Sequence, residues 1–312
     1  MRPAADLRSL APVALALAAL TCASPAPLRS ASASPVSSAF SASSSAFSAL
    51  NPFPLRVASL NLAADEVLVE ILPPERLVAV TAFADERGTS NVVGRVPPSV
   101  ARFPRANVER LVALAPDLVV ISQYTDADVQ RQLERAGLRL HRMEGLESLA
   151  GFRSAVLDLG RAVGAEDAAR RLVERYDRTL AEVARRVQGA PRPRVLYWAN
   201  PMTAGADTAI GTLIECAGAV NVGRQLGVSG IAPAGAERAF VADPDVVLLG
   251  QWPGVKAALL GHPLLSRMRA VREGKVVELP TELLVALNHH AAEACWALAH
   301  QLHPDLVPRP RP

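Results

Sequence analysis

The chain has 312 residues, half of them hydrophobic, with a formal net charge of +3 at neutral pH. This length corresponds to about one to three domains with a sizeable core. The nearly balanced charge lacks the basic excess that nucleic-acid-binding proteins carry, so we predict no nucleic-acid partner.

The N-terminus has the layout of a secretory signal. Arg2 and Arg8 precede the apolar run "LAPVALALAAL" and a group of small residues. This order predicts a signal peptide over residues 1–33, whose cleavage point stays open, and a periplasmic location. Cys22 raises lipid anchoring as the less favoured alternative, because Thr21 is a poor residue before a lipidated cysteine. The Ser/Ala-rich residues 34–54 are predicted to form a flexible tether.

Strands and helices alternate in the next part of the chain, which predicts βα units and a mainly parallel sheet. We assign this N-terminal lobe to residues 55–152. Its strands are predicted at 56–61, 76–83, 117–122 and 138–143, and its helices at 63–72, 108–115 and 126–137.

One long amphipathic helix interrupts the alternation at residues 166–188, where apolar residues recur at spacings of three and four without Gly or Pro. It lies in a predicted connecting segment over residues 153–190. The alternation then resumes in a C-terminal lobe over residues 191–305, followed by a predicted disordered tail, 306–312. This lobe has predicted strands at 194–199, 245–250 and 275–280, and predicted helices near 208–218, 255–261 and 289–302.

A segment occurs twice, once in each lobe. It reads "ERLVALAPDLVVIS" from Glu109 and "ERAFVADPDVVLLG" from Glu237. Two copies are too few for a solenoid and indicate two similar lobes instead. We therefore predict an α/β fold in which two Rossmann-like βα lobes are joined by a single long rigid helix. The ligand cleft would lie between the lobes, outside the carboxyl ends of the strands.

Two cysteines remain after the signal region, Cys216 and Cys295. An even pair in an exported chain favours a disulfide bond, and two buried thiols are the alternative.

The order of these features resembles the solute-binding proteins of the vitamin B12 and ferric-siderophore ABC importers, the class III proteins with a helical backbone. The resemblance covers about residues 55–303. It rests on "RVASLN" before an acidic helix, "NVERLVALAPDLVVI", the bridging helix, "TAGADT…LIECAGAVNV", "AERAFVADPDVVLL" and "GKVVELP".

The resemblance implies how the protein would meet its transporter. In this family one exposed acidic residue on each lobe docks onto arginines of the permease, and the matching residues here are Glu109 and Glu237. We expect a monomer that docks onto an ABC permease dimer in the inner membrane. The alternative is that each glutamate only stabilises its own helix, since Glu109 falls in the first turn after a potential Asn107 cap. The B12-binding member of this family also carries a disulfide at the positions that match Cys216 and Cys295.

The resemblance also implies which residues line the ligand cleft. The predicted ligand is a small-molecule metal chelate: cobalamin, a ferric siderophore or, alternatively, heme. The cobalamin-binding member has more aromatic residues at these positions, so the ligand stays open. For each aromatic residue the alternative is a place in the lobe core. The candidates are Phe83, Phe103, Ser122, Met202, Ile231 and Glu282 at matching positions, with Tyr124, Trp198, Trp252 and His289 close to them.

An exported chelatase-like enzyme and a binding module that feeds a sensor are the rival classes. "GVSG" at residues 227–230 lacks the G-x-S-x-G spacing of a nucleophile elbow, because Ile231 occupies the last Gly position. No phosphate-binding loop is present. We therefore predict no catalytic residue, no resident cofactor and no dedicated metal site, although Glu282, His289 and His290 could touch a bound metal complex.

Overall fold

The computed structural model describes residues 53–310. The predicted signal peptide, Cys22 and nearly all of the predicted tether lie outside this range. No helix within residues 53–310 is long and apolar enough to cross a membrane.

The N-terminal lobe is built on a five-stranded parallel sheet with the strand order β3-β2-β1-β4-β5. The first strand lies in the middle, so the chain reverses its direction of travel across the sheet beside β1. The strands are β1 Val57–Ser59, β2 Leu77–Thr81, β3 Ala101–Phe103, β4 Leu118–Ser122 and β5 Leu140–Met143. The helices are α1 Leu62–Ile71, α2 Val108–Ala113 and α3 Ala127–Arg135.

Each of these three helices begins at a polar residue whose side chain accepts a hydrogen bond from the first turn. The capping residues are Asn61, Asn107 and Asp126. Such caps satisfy backbone N–H groups that have no partner inside the helix. The predicted elements of this lobe agree with the structure, apart from the short edge strand β3, which the sequence analysis did not assign.

The C-terminal lobe repeats the plan with a four-stranded parallel sheet in the order β11-β10-β6-β8 and a separate antiparallel pair, β7-β9. Its strands are β6 Arg194–Tyr197, β7 Met202–Ala204, β8 Val220–Asn221, β9 Ile231–Pro233, β10 Val246–Gly250 and β11 Val276–Leu279. Its helices are α6 Ala209–Cys216, α7 Val222–Gln225, α8 Ala236–Ala242, α9 Val255–Gly261, α10 Arg269–Arg272, α11 Thr281–Leu284 and α12 Ala291–Leu302.

The long helix α5, Glu166–Val187, joins the lobes as predicted. Its first half buries Ala169 and Tyr176 in the core of the N-terminal lobe, and its last turns bury Val183 in the core of the C-terminal lobe. A helix with both halves packed this way is a stiff connector, because bending it would expose apolar surface at one end.

The structure adds two features to this connection. A further helix, α4 Leu149–Ala162, packs along α5, so the predicted lobe boundary between residues 152 and 153 falls inside a helix. Helix α12 also runs beside α5, and its first residues, Ala291 and Ala292, belong to the core of the N-terminal lobe. The lobes are therefore joined by packing as well as by the chain.

The predicted disordered tail is wrong at its start. Val307 is fully buried, and the Nε1 atom of Trp296 donates to the carbonyl oxygen of Pro308 at 2.9 Å. The Nη1 atom of Arg186 donates to the carbonyl oxygen of Leu306. An apolar side chain and a nearby tryptophan thus hold residues 306–308 against α5 and α12.

Candidate ligand-binding site

The carboxyl ends of the two sheets face each other. Asn91, in the loop after β2, donates from Nδ2 to the carbonyl oxygen of Glu282, which follows β11, at 3.0 Å. Thr212 of α6 donates from Oγ1 to the carbonyl oxygen of Glu147, which follows β5. Residues that follow strands in one lobe therefore touch residues that follow strands in the other. This is the place where open α/β sheets bind ligands.

Two aromatic side chains of the N-terminal lobe are accessible at this edge. Phe83 follows β2 and Tyr124 follows β4, and each is 41% exposed. Burial raises the pKa of the Tyr124 phenol, with a smaller contribution from the charge of Glu147. The phenol is therefore neutral at physiological pH and offers both an aromatic face and a hydrogen-bond donor.

The C-terminal lobe contributes half-buried side chains to the same edge. Met202 and Ile231 stand on the β7-β9 pair, where Met202 is opposite Pro233 and Ile231 is opposite Ala204. Trp252 follows β10 and is half-buried. Its ring lies so close to Gly250 that a β-carbon there would be 2.2 Å from the ring. Gly250 is thus required for the position of Trp252. Glu282 is also half-buried.

Four of the predicted cleft residues are buried, which corrects the sequence analysis: Phe103, Trp198, Ser122 and His289. Phe103 is 2% exposed and packs in the core around Leu111, with the guanidinium carbon of Arg110 4.6 Å from the ring centre. Trp198 is also 2% exposed, in a core beneath the helices of the C-terminal lobe. Ser122 is 7% exposed, and its Oγ accepts from the backbone N–H of Tyr124. The first two pack under helices, so a ligand in the cleft would not reach them.

His289 lies just before α12 and is buried. Its ring centre is 4.0 Å from that of His290. Burial lowers the pKa of His289 to about 2, with further lowering by His290, Arg175 and Arg95. The imidazole is therefore neutral throughout the physiological range. No group of three or more His, Cys, Asp or Glu residues in the described part of the chain is placed to hold a metal ion.

Glu109 and Glu237 are both exposed, each in the first turn of its helix, α2 and α8. Both helices lead into the amino end of a strand, so their first turns point back toward the carboxyl edge of the sheets. The Asn107 side chain accepts from the backbone N–H of Arg110 at 2.8 Å, as the predicted cap requires. The two acidic residues are thus presented on the same side of the molecule as the cleft loops.

The predicted disulfide is confirmed. Cys216, at the end of α6, is bonded to Cys295 of α12. The bond ties the helix that follows β7 to the helix that runs beside α5.

The sequence analysis missed a buried polar network between the two lobes. Glu66 of α1 is 1% exposed and accepts hydrogen bonds from Asn91 and Asn288. The sequence signal was available: Asp65 and Glu66 are adjacent acids on a helix that is otherwise mostly apolar.

Comparison with known proteins agrees with this arrangement. A family model described as "Periplasmic binding protein" matches residues 57–283. A cobalamin-binding protein of Halobacterium salinarum is 32% identical over 206 residues, which cover 64% of this chain and 55% of that protein. The chain thus spans about half the length of that relative. An uncharacterized ABC transporter substrate-binding lipoprotein of Bacillus subtilis is 25% identical over 210 residues, covering 64% of this chain and 66% of the relative.

Solved structures share the fold. The periplasmic heme-binding protein RhuT from Roseiflexus, in its apo form, superimposes with a TM-score of 0.69 at 21% identity. The match covers 80% of this chain and 98% of the other. At this identity the likeness supports the fold alone: two α/β lobes with a helical backbone.

Proposed function

Because this chain belongs to the periplasmic binding protein family, we propose that it is the substrate-binding component of an ABC importer. It captures a metal chelate outside the cytoplasm and delivers it to a membrane permease. The family is one of binding proteins rather than enzymes, in agreement with the prediction that the chain is not an enzyme.

The observation that carries this proposal is the pair of facing sheet edges with accessible aromatic side chains. Phe83 and Tyr124 are exposed after strands of one lobe, and Trp252 is half-buried after a strand of the other. We infer that these three rings would line one crevice. Ligand sites are typically such apolar concavities with a few polar groups, here the Tyr124 phenol and Glu282. A large macrocyclic chelate such as cobalamin has apolar edges and side groups that can pack against such aromatic side chains.

Heme is the second candidate. The Roseiflexus protein with the same fold is a heme-binding protein, and heme would use the same flat aromatic faces. Cobalamin takes precedence because the relative with the higher identity is a cobalamin-binding protein. A ferric siderophore is the third ligand class that the cleft would accept.

Delivery would use the two exposed acids. A carboxylate can form two parallel hydrogen bonds with one guanidinium group, so Glu109 and Glu237 suit arginine side chains on the permease. One monomer has one acid per lobe, which matches a permease of two like subunits. Such charge pairs mainly set orientation and encounter rate.

Location follows from the same proposal. Residues 1–33 would direct export, and residues 34–54 would space the lobes from the cleavage point or from a lipid on Cys22. Since α5 and α12 are both packed into two cores, ligand binding would close the cleft only modestly.

The test is direct ligand titration of the purified protein. Cyanocobalamin, a ferric siderophore and hemin are added separately, and tryptophan fluorescence and equilibrium dialysis report binding. We expect one chelate to bind, and Phe83→Ala and Tyr124→Ala each to weaken it by roughly tenfold, the effect of losing about 1.4 kcal/mol. Trp252→Ala should weaken it similarly.

The matched control is Leu260→Ala. Leu260 is also an exposed apolar residue, but it lies at the end of α9, where the helix has returned toward the amino ends of the strands. Its removal should leave affinity unchanged. Failure of all three chelates to bind by dialysis would contradict the proposed ligand class.

A further inference from the structure

The buried carboxylate of Glu66 joins the two lobes beneath the cleft. Its Oε1 accepts from the backbone N–H of Asn91 at 2.7 Å and from the side-chain Nδ2 of Asn91 at 3.0 Å. Its Oε2 accepts from Nδ2 of Asn288 at 2.6 Å. Asn91 belongs to the N-terminal lobe, whereas Asn288 lies in the C-terminal lobe between α11 and α12.

Both asparagines extend the connection further. Nδ2 of Asn91 also donates to the carbonyl oxygen of Glu282 in the C-terminal lobe, at 3.0 Å. Nδ2 of Asn288 also donates to the carbonyl oxygen of Ala63 in the N-terminal lobe, at 3.2 Å. Oδ1 of Asn288 accepts from the backbone N–H of His290 at 3.0 Å. The network thus crosses between the lobes three times.

The location of the network connects it to the ligand site. Asn91 lies eight residues after Phe83, in the loop that follows β2. Asn288 lies directly before His289 and a few residues after Glu282. Three of the candidate ligand residues therefore stand on segments whose backbones the network holds. A carboxylate removed from water is costly unless its oxygens are paired, so the arrangement strongly favours one relative position of these segments.

We propose that Glu66 is an inter-lobe latch: by binding Asn91 and Asn288 together it fixes the distance between the lobes and positions the floor of the ligand cleft. The latch acts in the ligand-free protein and is independent of which chelate binds. Glu66 is a positioning residue, because it is 1% exposed and both of its carboxylate oxygens already accept hydrogen bonds from the protein.

The chemistry of the network indicates a selective substitution. In Glu66→Gln the carbonyl oxygen can still accept from Asn91, but the new amide would face the Nδ2 donor of Asn288. Two donors then oppose each other, and the bond to the C-terminal lobe is lost with little change in side-chain volume. Glu70→Gln is the matched control. Glu70 lies one turn later on α1, and its ion pairs within the described part of the chain are with Arg95 at 2.5 Å and Arg175 at 3.9 Å, neither of which belongs to the C-terminal lobe.

The measurement is the distance distribution between spin labels on the two lobes, at Gln132→Cys and Ala257→Cys, both exposed. Ligand-free protein should give one narrow distribution. Glu66→Gln should broaden or shift it. Hydrogen exchange at the His290 amide should accelerate by roughly tenfold or more, because its acceptor, Asn288, loses the hydrogen bond to the charged Glu66. Glu70→Gln should change neither.

Exchanging the carboxylate and the amide between positions 66 and 288 distinguishes a latch from a carboxylate that only supports its own lobe. Asn288→Asp alone places two carboxylates together and should separate the lobes most. Adding Glu66→Gln lets the amide donate to the new carboxylate and should return the distribution toward that of the unmodified protein.

If Glu66→Gln does not fold, Asn288→Ala tests the same bond from the other lobe. An unchanged distance distribution in folded Glu66→Gln or Asn288→Ala would overturn the latch. Ligand binding is not needed for any of these readouts, so failure of the proposed function would be seen separately.

Discussion

The two copies of the repeated segment, residues 109–122 and 237–250, form the same turn with different side chains around it. In both, the backbone N–H of the aspartate donates to an arginine carbonyl oxygen at 2.8 Å: Asp117 to Arg56, and Asp245 to Arg194. In both, Oδ2 of the aspartate accepts from the N–H of that arginine at 2.9 Å. The aspartate thus aligns the start of its strand with the first strand of the lobe, which explains why Pro-Asp occurs twice.

The copies differ in the residue before the proline. It has a positive φ in both, 44° at Ala115 and 40° at Asp243. Aspartate tolerates the left-handed conformation better than alanine does. Asp243 also pairs with Nε of Arg269 at 3.1 Å, and Nη2 of Arg269 binds Asp245. The hydrogen bond from the Arg194 backbone and the charge of Arg269 hold the pKa of Asp245 below its usual range.

This comparison separates two roles within one repeat. The Pro-Asp turn is explained by contacts inside each lobe. The exposed side chains of Glu109 and Glu237 form no hydrogen bond or ion pair within residues 53–310 that would require an acid. The proposed docking onto a permease would account for these two glutamates.

The largest expected effect comes from reversing both glutamates. Glu109→Arg with Glu237→Arg should abolish uptake, because a guanidinium placed against permease arginines repels them. Ligand affinity should stay the same, since both glutamates are exposed in the first turns of their helices and neither is a candidate ligand residue. Transport assays and ligand titration check the two halves. The single variants show whether the lobes dock equally, and an equal loss of binding and uptake would contradict separate roles.

The next largest effect is a pH dependence of the unfolding free energy. It is expected from α1 and not from α6, the corresponding helix of the other lobe. Helix α1 buries Asp65 and Glu66, whereas the buried residues of α6 are apolar or glycine. Burial raises the pKa of Asp65 from 3.8 to about 7, although hydrogen bonds from Ser59 and Thr81 lower it. The folded protein therefore holds this proton more tightly than the unfolded chain does.

The contribution of protonated Asp65 to the unfolding free energy is therefore fully present below pH 3.8, and it is lost as the pH rises through about 7. The loss is on the order of 2–4 kcal/mol. Asp65→Asn should remove this component, which chemical denaturation at several pH values would detect. Glu75→Gln, an exposed change between α1 and β2, serves as a control. A variant with the same pH slope as the unmodified protein would disprove the assignment.

The disulfide is a second difference between the lobes, since no disulfide occurs in the described part of the N-terminal lobe. Cys216 and Cys295 are 79 residues apart in the chain. Replacing both with alanine should lower the unfolding free energy by about 2–4 kcal/mol, because the bond restricts the unfolded chain. Limited proteolysis should then cut the C-terminal lobe first. Earlier cleavage in the N-terminal lobe would show that the bond does not secure its own lobe.

The smallest effect tests the turns themselves. Ala115→Gly should raise the unfolding free energy by about 1 kcal/mol, because glycine adopts a positive φ without steric cost. Asp243→Gly should give no such gain, since it removes the contact with Arg269. Thermal and denaturant unfolding compare the two. Equal gains at both positions would mean that the pairing of Asp243 with Arg269 contributes nothing.

Much of the architecture follows from local patterns in the sequence. The 3.6-residue periodicity of 166–187, the alternation of strands and helices, and the repeated Pro-Asp turn each depend on residues near one another in the chain. These signals were sufficient for two lobes, one connecting helix and exposed glutamates. The disulfide pairing also came from the sequence, through the two cysteines that follow the signal region and the family resemblance.

Tertiary structure decided which side chains the cleft can offer. Phe103 and Trp198 stand at strand ends, as Phe83 and Tyr124 do, yet they are buried because helices cover the side of the sheet to which they point. Glu66 became the link between the lobes only when Asn91 and Asn288, 197 residues apart in the sequence, met at its carboxylate. Periodicity fixes which residues share a face of an element, but the neighbour that covers this face comes from distant parts of the chain.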